Sequence, residues 1–199
     1  PRTDAPAPAG ATRAEVLTFN SGGSGARPGL DGMNATAFPS GVMTMPVEAT
    51  EQVGPVLIWR KELRPDSGGA GRTRGGLGQH MEVGARKGHE FDIQAMFDRV
   101  KHPARGRRGG HSGAPTEIAQ DDGTAMKGKG KQFVPHGRKV VMAFPGGAGY
   151  GDPSERGAAQ VKRDLALGYI SAAAAETVYG LSRDMIEDVL DRAKRGEVF

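Results

Sequence analysis

No cysteine occurs among the 199 residues of this chain. That absence excludes a disulfide scaffold, a zinc finger, a thiol nucleophile and a thiolate-held cluster within it. Aromatic residues are scarce, with one Trp, three Tyr and seven Phe. No run of about 18 apolar residues is present, so no segment reads as membrane-spanning. The opening Pro1-Arg2-Thr3-Asp4 lacks an apolar stretch and does not read as a signal peptide. A cytoplasmic location is the expectation. Neither sign of charge dominates, the formal net charge being +4. The length suits one ordinary domain with room for a core.

Glycine, by contrast, is abundant. Its 32 residues are more than twice the usual share of roughly 7%. They stand between short apolar runs such as Val56-Leu57-Ile58-Trp59 and Val140-Val141-Met142-Ala143-Phe144, a pattern of folded, turn-rich, β-containing chain. The distribution is uneven, with 28 glycines in residues 1–151 and 4 in 152–199. Charge divides at the same place, 20 basic against 14 acidic residues before it and 7 against 9 after it. We therefore expect an α+β fold. A flexible Pro/Ala-rich arm (1–13) precedes a β-rich body with glycine loops (14–151), and a small C-terminal helical unit (152–199) follows.

Strands are predicted at 15–20, 56–63, 79–83, 90–97 and 139–144, with a weaker edge strand at 42–49 interrupted by Pro46. In 90–97, Phe91, Ile93, Ala95 and Phe97 alternate with Asp92, Gln94 and Met96, placing one face inward. Asp152-Pro153-Ser154-Glu155 reads as a variant capping box opening a helix that ends at Gly168. Ser171 and Ser182 read as N-caps of two further helices, the first ending at Gly180. In the last, Ile186, Val189, Leu190 and Ala193 recur on one face. Asp188–Arg192 and Asp191–Arg195 stand at favourable i,i+4 spacing.

The pattern Gly-Gly-(Ser/Ala)-Gly occurs three times, at 22–25, 68–71 and 146–149. Glycine lets backbone N–H groups converge on an anion, so such loops are able to cradle phosphate. Tight structural turns are the alternative, and the stricter fingerprints fail. Residues 146–152 fit G-x-G-x-x-G in no register, and in 123–130 a glycine stands where a P-loop needs Ser or Thr for Mg²⁺. His80, His89, His102, His111 and His136 show no H-x-x-x-H spacing, although His80 and Glu82 would share a strand face. No metal site is expected in this chain. No G-x-S-x-G is present either. The stretch 99–108 carries Arg99, Lys101, Arg105, Arg107 and Arg108, with no acid until Glu117 and no aromatic until Phe133. It reads as a solvated loop or a surface meeting an acidic partner subunit rather than as a nucleic-acid site, which lacks stacking residues here. In 64–76, Arg64, Arg72 and Arg74 surround a tight turn with Asp66. Arginines suit bidentate grasp of a carboxylate or phosphate, and Asp66 pairing with one of them is the structural alternative.

RPDSGGAGRTRGGLG (64–78) and PGGAGYGDP (145–153) resemble the C-terminal half of the hydantoinase B/5-oxoprolinase family. GGSGARPGLDG (22–32), Met45-Pro46-Val47-Glu48, Asp98-Arg99 followed by Pro103, Gly109-Gly110 and Tyr179-Gly180 fit in the same order. The resemblance covers roughly residues 18–181. It implies part of a multi-subunit, ATP-dependent enzyme opening hydantoins, 5-oxoproline or related lactams. A related ketone carboxylase component is the alternative within the family, and a non-catalytic basic binding module the alternative outside it. ATP would be used by a hydantoinase A-type subunit of actin-like fold, which phosphorylates the substrate oxygen and so creates a leaving group. Substrate- or interface-binding candidates are Asp31, Arg64, Asp66, Gly68, Gly69, Gly71, Arg72, Arg74, Gly147 and Gly149, and no catalytic residue is assigned. The family's N-terminal half, which bears metal ligands in some relatives, has no counterpart here. The chain is thus expected to be a piece of a cleaved or split subunit, or a shortened one, inactive alone. Its partners would be the A-type ATPase, the missing B-type portion and a cyclic amide, with no membrane or nucleic acid.

Overall fold

The structure is a computed structural model that describes residues 15–36, 41 and 45–197. The expected arm at 1–13 lies outside the described residues. Among the described residues six strands form, β1 (Val56–Leu63), β2 (Gln79–Ala85), β3 (Phe91–Met96), β4 (Glu117–Gln120), β5 (Lys129–Val134) and β6 (Lys139–Ala143). Four of them make an antiparallel sheet in the order β1-β2-β6-β4, and β3 pairs with β5 in an antiparallel ribbon. Register brings Met81 opposite Met142 and Val83 opposite Val140, so these side chains share one face. On that face Met81, Ile118, Val134, Val140, Met142 and Phe144 form a buried cluster, against which Phe91, Ile93 and Phe97 pack. The ribbon thus closes one side of the sheet. In β1 the register shifts between Ile58 and Arg60, leaving Trp59 61% exposed, with Lys139 5.0 Å above its ring.

The helices are α1 (Val47–Gln52), α2 (Ala158–Ala166), α3 (Ala172–Thr177) and α4 (Arg183–Lys194). Val161, Leu165, Ile170, Ala175, Leu181, Ile186 and Val189 form a second buried cluster, made by α2–α4 and their connections. Burial of such a face holds short helices that are marginal alone. Gly168 and Gly180 take the left-handed conformation just past α2 and α3, with φ of +68° and +70°. Ser171 caps α3 through its hydroxyl, which accepts from Ala174 N at 3.1 Å. Ser182 is the N-cap of α4 by position, without a side-chain capping bond.

Several expectations are corrected. Residues 15–20 form no strand; their apolar side chains find no sheet, and Leu17 and Phe19 remain 75% and 63% exposed. In place of an edge strand over 42–49, of which 42–44 lie outside the described residues, Pro46 caps α1, its carbonyl accepting from Thr50 N and Thr50 Oγ1. Proline suits a helix start better than a ladder. β4 and β5 were not expected. The Lys/Gly alternation of 127–131 lacks an apolar signal because β5 lies in a two-stranded ribbon with exposed lysines. The P-loop-like stretch 123–130 joins strands β4 and β5 and enters no helix. Asp152 opens only a 3-10 turn, Pro153–Glu155, with Ser154 N donating to its carboxylate. Arg156 then turns extended (ψ 127°), and α2 starts after Gly157. Asp188 does face Arg192 at 3.8 Å, whereas Asp191 pairs with Lys194 rather than Arg195.

Candidate functional site

The three Gly-Gly-(Ser/Ala)-Gly segments converge. Segment 145–151 runs through the middle of the body, and its backbone bonds to several segments in turn. Pro145 O accepts from Gly23 N (2.9 Å), Gly147 N donates to Gly76 O (2.9 Å) and Gly147 O accepts from Gly69 N (2.8 Å). Gly146 N reaches Ala114 O, Gly149 N reaches His111 O, and Ala148 O accepts from Ala26 N. These bonds fan out to neighbours on different sides instead of forming a ladder, as in packed polyproline-type chains where only glycine fits. The packing leaves no room for side chains. A Cβ on Gly146 would stand 1.7 Å from Ser67 O, and one on Gly147 1.8 Å from Ser24 O. Gly68, Gly69 and Gly149 meet backbone oxygens at 2.0–2.2 Å in the same way, and Gly71 meets Thr73 O at 2.7 Å. The N–H groups of Gly69, Gly147 and Gly149, which a phosphate cradle would need, are therefore already bonded to carbonyls.

Beside this bundle lies a buried ionic network. Asp31 receives Arg156 through two bonds, Nη1 to Oδ1 at 2.8 Å and Nη2 to Oδ2 at 2.7 Å. Arg156 Nη2 also donates to Asp164 Oδ2 at 2.7 Å, and Arg74 Nε reaches the same oxygen at 3.2 Å. Arg74 N donates to Asp31 Oδ1 at 2.7 Å. Two cations and two anions thus meet in one network, with Arg74, Arg156 and Asp164 at most 6% exposed and Asp31 half-buried at its edge. Burial alone would push the Asp31 carboxyl up, but the hydrogen bond and charge of Arg156, with Arg74, hold it below the ordinary value. Burial would likewise lower Arg156, and Asp31 and Asp164 reverse that. Tyr179 stands at the rim, its phenol pushed up to about 12, chiefly by burial. The Arg74 guanidinium lies 5.2 Å from the Tyr169 ring centre.

The remaining candidates are placed apart. Arg64 donates to Pro115 O and Glu117 Oε1, both at 2.8 Å. Among the described residues Asp66 pairs with no arginine; its Oδ1 accepts from Ser171 N at 2.9 Å, and its φ is +57°. Arg72 is exposed and faces Glu155 at 3.3 Å. Arg156 and Asp164 were not anticipated; neither lies in a glycine motif, and only the fold brings them to Asp31 and Arg74. Glu82 faces Lys139 at 3.1 Å, and among the described residues no group of three His, Asp or Glu side chains gathers around a common point. A groove of about 450 Å³ runs beside residues 20–25, walled by Phe97, Asp98, Arg99, Thr116 and Phe144. That volume is within the range of small-molecule sites.

A sequence model described as hydantoinase B/oxoprolinase matches residues 4–153. The chain belongs to the hydantoinase B/oxoprolinase family. Its glycine bundle lies within the matched span. The chain is 30% identical over 180 residues to the beta subunit of the caprolactamase of Pseudomonas jessenii, covering 85% of this chain and 31% of that protein. It is 29% identical over 184 residues to the B-type subunit of a putative D-/L-hydantoinase from Pseudomonas sp. strain NS671, with 89% and 31% covered. The crystal structure of the ATP-dependent caprolactamase from Pseudomonas jessenii superposes with a TM-score of 0.70 at 28% identity, covering 88% of this chain and 33% of that one. This hydantoinase B/oxoprolinase chain therefore spans about a third of the length of these two relatives.

Proposed function

We propose that this chain is the C-terminal portion of a hydantoinase B-type subunit and takes part in ATP-dependent hydrolytic ring opening of a hydantoin, 5-oxoproline or a related lactam. The observation that carries this reading is the likeness to the ATP-dependent caprolactamase over 88% of the chain. A lactam carbonyl is a poor electrophile. In this reading a partner ATPase of the A type phosphorylates its oxygen, and the rest of the B-type subunit completes the site. The chain alone is inactive, the complex is cytoplasmic, and any metal is held outside this chain.

The three-part division (arm 1–13, body 14–151, helical unit 152–199) is kept within this proposal. The loops bearing Gly68, Gly69, Gly71, Gly147 and Gly149 serve by rigidity. Asp31 and Arg74 fix the helical unit to them, Arg64 and Asp66 anchor the turn at 64–68, and Arg72 lies at the surface beside Glu155. The substrate approaches the groove beside residues 20–25, which Asn20, Ser21, Asp98 and Arg99 help to line.

The test is co-expression of the chain with an A-type ATPase and the remaining B-type portion. ATP-dependent loss of hydantoin, caprolactam or 5-oxoproline is expected. Bicarbonate fixation on a ketone without lactam cleavage would overturn the hydrolase reading.

A further inference from the structure

Residues 16–20 combine strand-forming side chains with no strand to pair against. Val16, Leu17, Thr18 and Phe19 are β-branched, apolar or aromatic, the composition of a pleated surface that is covered on one side. They nevertheless lie outside every ladder. Among the described residues no backbone hydrogen bond reaches 16–20. Hydrogen bonds to the body begin with the next residue. Ser21 O accepts from Gln79 Nε2 at 3.3 Å, Gly22 O from Thr36 N at 3.1 Å, and Gly23 N donates to Pro145 O at 2.9 Å. The segment is thus fixed at its C-terminal end and left open along its length.

Its side chains are open as well. In an extended chain Leu17 and Phe19 stand on the same side. With Met96, which is 78% exposed, they are the three most exposed large apolar side chains among the described residues. Met96 lines the groove that Asn20 also lines, which brings the third of them to the end of the segment. Open N–H and C=O groups beside uncovered apolar side chains are a template for another strand.

We propose that residues 16–20 receive a β-strand from the B-type portion that the relatives carry and this chain does not match, with Leu17 and Phe19 covered by its side chains. This rests on the B-type reading above. The chain covers 31% of both the caprolactamase beta subunit and the hydantoinase B-type subunit, so more than half of each has no counterpart here. In the caprolactamase structure, 88% of this chain superposes on 33% of a longer polypeptide. A surface meant to be covered by that further length is expected to be apolar and to carry open backbone groups, and in 16–20 both coincide. Strand addition takes its affinity from main-chain hydrogen bonds and its selectivity from the alternate side chains. Two copies of this chain joined through five-residue edges alone would bury less than the roughly 1,200 Å² of a stable interface.

The experiment co-expresses the chain with the remaining B-type portion and the A-type ATPase, and compares amide hydrogen exchange in the chain alone and in the complex. The amides of 16–20 are expected to exchange freely in the chain alone. In the complex, protection of at least about tenfold is expected at alternate residues of the segment. L17D/F19D changes side chains already exposed in the free chain, so its thermal midpoint is expected to hold while association weakens more than about tenfold. L167D/M185D, at apolar side chains exposed in the helical unit, serves as control. Unchanged exchange at 16–20 in an assembled complex, or equal weakening by the two variants, overturns the inference; ATP-dependent lactam loss by that complex leaves the functional reading standing. Protection of 16–20 in a complex that opens no lactam supports the inference and overturns the functional reading. Protection in the chain alone at doubled mass assigns the edge to a second copy and overturns the inference. Failure of the wild type to associate with the B-type portion overturns both.

Discussion

At the scale of the residue, two glycines of one repeated pattern have opposite meanings. Gly147 lies where a methyl group would meet Ser24 O at 1.8 Å, whereas Gly25 has no heavy atom within 4 Å of where its Cβ would be. Gly147→Ala forces backbone against backbone, which no rotamer change relieves. We expect it to lose more than about 3 kcal/mol of stability. Gly25→Ala is expected to change stability by less than about 1 kcal/mol, and toward stabilisation, through the unfolded chain. Urea denaturation of the two variants reads the contrast directly. Nothing in the repeated Gly-Gly-(Ser/Ala)-Gly pattern tells these two glycines apart in kind, because a glycine required for packing and one that merely turns share the same letter. The motif was legible as order. Its purpose, close approach of backbones, needed the neighbours.

At the scale of the element, Asp31, Arg74, Arg156 and Asp164 join three stretches that are far apart in sequence: the 22–32 loop, the 64–78 loop, and α2 with the turn before it. Removing one charge from a buried set leaves the others uncompensated. Asp164→Asn is expected to destabilise by about 3–5 kcal/mol, with hydrogen exchange rising first in α2–α4. Asp31 makes part of this clamp dependent on pH. Its folded carboxyl sits below the ordinary value, so its contribution is full above the unfolded pKa and is lost as pH falls through the folded one. The stability gap between wild type and Asp31→Asn should therefore narrow on acidification below about pH 4, and a gap that widens would contradict the pairing. At the alkaline side the sign reverses for Tyr179. A phenol raised to about 12 in the fold ionises more readily unfolded, near pH 10, so stability falls between these values. Tyr179→Phe should move alkaline unfolding to higher pH, as followed by circular dichroism.

The elements themselves were unevenly readable. Helix α3 followed from the cap at Ser171 and α4 from the apolar spacing of Ile186, Val189 and Leu190, since local capping decides the one and periodicity the other. The capping box at Asp152 gave only one turn, because Arg156 bends away to reach Asp31. Strand β5 was hidden by its lysines, and the predicted strand 15–20 had propensity but no partner to pair with.

For the whole molecule, two separate apolar cores, one under the sheet and one among α2–α4, are joined by the glycine bundle and the ionic clamp. Under the proposed function, the surface residues rather than these joints meet other subunits. Arg72→Ala, which loses only an exposed pair with Glu155, should change stability by less than about 1 kcal/mol. A fall in turnover of the reconstituted complex with stability unchanged would assign Arg72 to the substrate or the interface, and unchanged turnover would remove it from both. Arg74→Ala should instead lower stability by several kcal/mol, because it opens the buried network.

The bundle also governs the order in which the chain is able to fold. Its hydrogen bonds connect residues near 23, 69, 76, 111 and 147, so it has no local fragment that forms early, and loop closure over long separations precedes any return in contacts. Segment 147–149 is therefore expected to reach its seat after the earlier segments have been gathered around it. Refolding of this chain should accordingly show a slow final phase in which the sheet and the helices are already formed while the amide protons of Gly147 and Gly149 still exchange freely.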